Sequence, residues 1–99
     1  MIEVNKETLE SLYSQNERVF VYFYSEWDGM SKMMFNDLKK LQQEIDVPIA
    51  ICNIDYNYDL GHKFEVRGLP TFGLVYEGEV VKIDSSVQTL DFIKEFIFE

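Results

Sequence analysis

The sequence predicts an α/β domain, a central mixed β-sheet of about five strands flanked by about four helices. Three observations carry this. Val19–Tyr24 and Ile49–Asp55 are apolar on both faces, as strands covered by helices on each side must be. Between them, Met34, Leu38, Leu41 and Ile45 recur at helical spacing and define one apolar face. Downstream, Phe72–Tyr76 and Val80–Ile83 flank Glu77-Gly78, a hairpin signal that adds antiparallel strands to parallel ones.

In chain order, Ile2-Glu3-Val4 reads as a short edge strand. Asn5 stands where an N-cap belongs, ahead of a helix whose apolar face is Leu9, Leu12 and Tyr13. The inner strand Val19–Tyr24 follows, then a tight turn at Asp28-Gly29 and the helix carrying the Met34 stripe. Pro48 marks the turn into the second inner strand, which is expected to run to Asp55. Asn57 or Asp59 is expected to cap a short helix through His62 to Glu65, closing before Gly68. The last helix is expected over Val87–Phe98, with Ser85 and Gln88 at capping-box spacing and Ser86 as a competing cap. Leu90, Ile93 and Ile97 form its buried face. Phe92, Phe96 and Phe98 flank that face, and two readings stand: they extend the core, or they form an apolar flank for a weak homodimer. No repeat, linker or low-complexity tract divides residues 1–99, so a single domain is expected.

Composition narrows the function. Eighteen acidic against nine basic residues give a formal charge of −9, which repels phosphate backbones and anionic lipid. Neither nucleic acid nor membrane is an expected partner, and an acidic cytoplasmic protein is the expectation. No apolar run reaches the ~18 residues of a spanning segment, and no basic start leads into an apolar stretch. Cys52 is the sole cysteine, so an intrachain disulfide is ruled out. His62 is the only histidine, which leaves no material for a catalytic triad or a histidine-rich metal site. Asp28, Asp55 and Asp59 follow no cation-loop signature. Neither a metal nor any other cofactor is expected.

The stretch Ser25-Glu26-Trp27-Asp28-Gly29-Met30-Ser31-Lys32 lies between strand and helix, where open α/β sheets carry their chemistry. It resembles the thioredoxin active-site motif, Trp-Cys-Gly-Pro-Cys-Lys, with Trp27, Gly29 and Lys32 in register. Val66-Arg67-Gly68-Leu69-Pro70-Thr71 looks like the same family's cis-proline loop. Asn53-Ile54-Asp55 is similar to the end of its central strand, and Tyr76–Val81 to its last hairpin. The resemblance covers nearly the whole chain and implies the thioredoxin fold.

The activity does not follow. Dithiol exchange needs one thiolate to attack and a second thiol to resolve the mixed disulfide. Asp28 and Ser31 occupy those two positions, and neither can take the role. The resemblance also implies a buried aspartate six residues before the first cysteine and a lysine on the neighbouring strand. Tyr22 and Ile51 stand there instead. Asp28 in its simplest role caps the following helix, leaving Ser31 an ordinary first-turn residue. Asn36 stands where the family often has a helix-kinking proline, so a straighter helix is expected.

What the resemblance leaves is a shallow partner-binding groove of Trp27, Asp28, Gly29, Met30, Ser31, Leu69 and Pro70, with Pro70 setting the loop. Met30 and Met33 lie off the core stripe and would enlarge an apolar patch. For Trp27 two readings stand: a binding anchor, or a side chain packed on its own loop. The expected function is a redox-inactive binding or adaptor module, not an enzyme, for a protein partner the sequence does not name. The alternatives are an oxidoreductase accessory using Cys52 in a mixed disulfide and a self-associating subunit. A lone cysteine on an inner strand is ordinarily a small buried hydrophobe.

Overall fold

The computed structural model describes residues 1–99. Its elements in chain order are β1 (Ile2–Glu3), α1 (Lys6–Gln15), β2 (Arg18–Tyr24), α2 (Gly29–Lys32), α3 (Phe35–Glu44) and β3 (Ile49–Asn53). A 3-10 turn at Ile54–Tyr56 leads to α4 (Tyr58–Lys63), β4 (Thr71–Tyr76), β5 (Glu79–Asp84) and α5 (Leu90–Phe98). The five strands form one sheet in the order β1-β3-β2-β4-β5. β1, β3 and β2 run parallel, and β4 and β5 run antiparallel. This is the thioredoxin fold.

The two-sided apolar character of β2 separates two cores. Phe20, Tyr22 and Tyr24 point to one face, where they meet Met34, Leu38 and Leu41 around α3, and Ile93 and Ile97 of α5. Val19, Val21 and Phe23 point to the other and pack with Leu9 of α1, Leu60 of α4, Phe64 and Cys52. The period of two along a strand thus sorts one apolar run into two helix-covered layers. Phe92 and Phe96 extend the first core: both rings stand edge-on to Phe72, at centroid distances of 6.5 and 5.0 Å. Phe98 remains exposed.

Local signals set most element ends. Asn5 and Thr8 form a reciprocal capping box: each side-chain oxygen accepts from the other's backbone N–H, at 2.9 and 2.8 Å. Glu77 and Gly78 both adopt positive φ, 51° and 82°, as a tight two-residue hairpin turn requires. β4 and β5 then run in register until a shift between Leu74 and Val75, where Val81 is the extra residue.

Four expectations are corrected. α5 begins at Leu90, not Val87, and Thr89 caps it by accepting from the Phe92 N–H at 3.1 Å. The expected caps are committed elsewhere: the Ser85 hydroxyl pairs with that of Thr71 at 2.9 Å, and Gln88 donates to Ser86. β3 stops at Asn53, whose side chain accepts from the Asp55 N–H and turns the chain into the 3-10 segment. Asn57 does precede α4, but its side chain donates back to the Asn53 carbonyl and caps nothing. The helix after the motif is not one continuous element. It is interrupted at Met33–Met34, next to the point where the Tyr22 hydroxyl donates to the Ser31 carbonyl at 2.7 Å. The Tyr22 hydroxyl thereby satisfies a carbonyl in the last turn of α2.

Candidate functional site

β2 and β3 are adjacent and parallel, with Tyr24 opposite Asn53, so the segments following them emerge side by side at one end of the sheet. The Ser25 hydroxyl donates to Asp55 Oδ2 at 2.7 Å and accepts from the Trp27 N–H at 3.2 Å. One small side chain thereby ties the motif loop both to itself and to the loop after β3. Sequence reasoning gave Ser25 and Asp55 no such role. Their pairing depends on strand order, which no local pattern reveals.

Asp28 is the N-cap of α2. Its Oδ1 accepts from the backbone N–H groups of Met30 and Ser31, at 3.0 and 3.3 Å. The carboxylate is thus spent on the helix terminus, where a negative group is favoured by orphan donors and by the dipole. Ser31 is not an ordinary first-turn residue. It is fully buried, its hydroxyl accepting from the Ser25 N–H at 3.2 Å and donating to the Asp28 carbonyl at 2.9 Å. Gly29 is exposed, and a Cβ there would meet nothing within 4 Å.

Of the seven residues expected to form the groove, Ser31 and Pro70 are buried and shape the surface from beneath. Asp28 and Leu69 are partly exposed. Trp27 is 91% exposed, which removes the reading in which its ring packs on its own loop. Met30 and Met33 stand out beside it, at 57% and 68%. The Leu69–Pro70 peptide bond is cis, and the Thr71 hydroxyl donates to the Gly68 carbonyl at the loop's base. The concavities of the surface are lined by other residues, so the motif presents an open face more than a cleft. Lys32 pairs with Glu26 at 2.9 Å, with both side chains about half exposed.

Cys52 points to the opposite face of β3, into the core under α1 and α4, and is completely buried. Burial pushes its thiol up from an ordinary 9.0 to about 12, with Glu3 and Asp59 adding to the effect. Tyr22 fills the position expected for a proton-handling carboxylate; burial raises its phenol well above the ordinary range, and the Asp28 carboxylate adds to this. No three His, Cys, Asp or Glu side chains converge as metal ligands, Asp28, Asp55 and Asp59 included. No helix is long and apolar enough to cross a membrane.

These features belong to a protein with the thioredoxin fold that carries Asp28 and Ser31 at the two ends of its strand-to-helix motif. The thioredoxin family model matches residues 1–99, and the chain belongs to that family. Yeast (Saccharomyces cerevisiae) mitochondrial thioredoxin-3 is 35% identical over 78 residues, which is 78% of this chain and 61% of that protein. Rat (Rattus norvegicus) protein disulfide-isomerase A4 is 30% identical over 84% of this chain, which spans only 14% of the isomerase. A point variant of the Halobacterium salinarum thioredoxin superposes with a TM-score of 0.90 at 31% identity, covering 97% of this chain and 86% of that one.

Proposed function

We propose that this thioredoxin-family domain does not turn over disulfides and serves as a protein-binding module through the face around Trp27. The observation that carries this reading is the division of the motif. Asp28 and Ser31, at the two thiol positions, are absorbed into capping and loop closure, while Trp27, Met30 and Met33 stand 91%, 57% and 68% exposed. Large apolar side chains left in water on a face fixed by buried hydrogen bonds suit docking. Tryptophan is the residue type most enriched at binding hot spots, and methionine adapts to differing partners. The family resemblance assigns Leu69 and the Pro70 loop to the same face. The buried, raised thiol of Cys52 weighs against an accessory role in mixed disulfides.

Two measurements test the reading. In an insulin-reduction assay with dithiothreitol, turnover is expected to stay at the uncatalysed rate; clear acceleration would refute the loss of exchange. In a pull-down, a partner captured by the native chain is expected to be lost with both Trp27→Ala and Met30→Asp. Capture of the same partner by all three forms would place binding on another face.

A further inference from the structure

At the same end of the sheet as Trp27, whose loop Ser25 ties to Asp55 beside Tyr56, lies a concavity of about 510 Å³ lined by Glu3, Asn5, Tyr24, Asn53, Tyr56 and Asn57 among others. Its chemistry is one-sided. Glu3 is the only charged side chain lining it, and no lysine, arginine or histidine reaches it. The larger depression beside α4, about 570 Å³, carries Glu65, His62 and Arg67 together, so its charges offset one another.

The Glu3 carboxylate is also held in place. The Tyr24 hydroxyl, on a side chain only 5% exposed, donates to Glu3 Oε1 at 2.8 Å. An exposed glutamate ordinarily samples many rotamers; one anchored by a buried phenol is organised before a ligand arrives. Its second oxygen makes no hydrogen bond within the chain, and neither does the Asn57 side-chain oxygen. Tyr56 stands on the rim, 83% exposed, with an unstacked ring face. Asp55, tied to Ser25, lies nearby; Glu26, close enough to act on the same Tyr24 phenol, is already paired with Lys32. A fixed carboxylate, one free amide oxygen and an open aromatic face are complementary to a guanidinium.

We propose that this concavity is a subsite for an arginine side chain of the protein partner. The proposal rests on the reading that the Trp27 face binds protein, and it names the chemistry of the partner segment: extended across Trp27, with an arginine reaching the Glu3 carboxylate and the Tyr56 ring.

The first test needs no partner. N-acetyl-arginine amide and its neutral isostere, the citrulline amide, are titrated against the folded protein, with backbone amide NMR shifts as readout. Arginine is expected to shift Glu3, Asn5, Tyr56 and Asn57 saturably and citrulline to leave them in place. Glu3→Gln, which keeps an oxygen for the Tyr24 hydroxyl, should weaken arginine binding about tenfold, as loss of a charge-assisted contact does. Tyr56→Ser, which changes no charge, should weaken it severalfold. Shifts spread over the whole acidic surface and unchanged by either substitution would overturn the subsite. The second test separates it from the wider reading. A partner whose capture is lost with Trp27→Ala but is equally strong with Glu3→Gln would remove the arginine subsite and leave the Trp27 face standing. Arginine binding at Glu3 together with capture that ignores Trp27→Ala would also sink the proposal, because the subsite then serves no partner at that face.

Discussion

A carboxylate stands at position 28 where the family's first thiol would be, and its two hydrogen bonds to Met30 and Ser31 make it a structural group. Removing it with Asp28→Ala leaves two N–H groups at the start of α2 without an acceptor and is expected to cost about 0.5–2 kcal/mol. Asp28→Asn keeps the acceptor, loses the favourable charge at the helix terminus and should cost a few tenths of that range. Thermal melts of the two variants beside the native chain measure this; equal melting of Asp28→Ala and native protein would mean the cap contributes nothing. The capping role was legible in the sequence because it acts over three residues. The burial of Ser31 and the exposure of Trp27 were not, because both depend on where Ser25, Asp55 and the Tyr22 hydroxyl lie across the sheet. The exposed Tyr56 and Tyr58 did leave a signal, two aromatics inside a polar, turn-forming run from Asn53 to Asp59.

Strands and helices were readable from periodicity, and the errors fall where a side chain has two claims on it. Ser85 has capping-box spacing to Gln88, yet it pairs with Thr71 across the sheet, Ser86 accepts from Gln88, and α5 starts at Leu90 with Thr89 as its cap. A motif of local spacing cannot register a competing partner fourteen residues away. β4 carries a constraint that its sequence states only as a glycine. A Cβ on Gly73 would lie 2.8 and 2.9 Å from ring carbons of Phe64 and 3.2 Å from the Lys82 carbonyl. Phe64 is fully buried and packed at a tilt against Phe23, so its ring cannot simply turn aside. Gly73→Ala is therefore expected to destabilise by about 1–3 kcal/mol through overpacking. Combining it with Phe64→Leu should cost less than the sum of the two single changes, since the smaller side chain gives up the space. Urea unfolding of the four-member cycle reads the coupling, and strict additivity would show that the ring and the glycine do not constrain each other.

The molecule as a whole is a sheet held between two cores, and each core contains a group that folding keeps protonated. Tyr22 lies in the α3/α5 layer with its hydroxyl on the Ser31 carbonyl, and Cys52 lies in the α1/α4 layer. Burial raises both, Cys52 from an ordinary 9.0 to about 12 and Tyr22 upward from 10.0. Below pH 9 the folded and unfolded chains both hold these protons, so neither group makes stability depend on pH. Above the unfolded values the unfolded chain releases protons that the folded chain retains, so stability falls as pH rises, by about 1.4 kcal/mol per pH unit for each group. The loss should begin near pH 9 with Cys52 and steepen above pH 10 as Tyr22 joins, together with Tyr13 and Tyr24, whose phenols burial also raises. Cys52→Ala removes the first part alone and, whatever it costs at neutral pH, should leave a profile that bends only above pH 10. Urea midpoints at half-unit intervals from pH 8 to 11 test this, with phenolate absorbance recorded alongside. The buried phenol should ionise together with unfolding and not before it. A midpoint that stays level across that range, or a Cys52→Ala profile parallel to the native one, would mean that the two cores do not hold their protons in the way their burial requires.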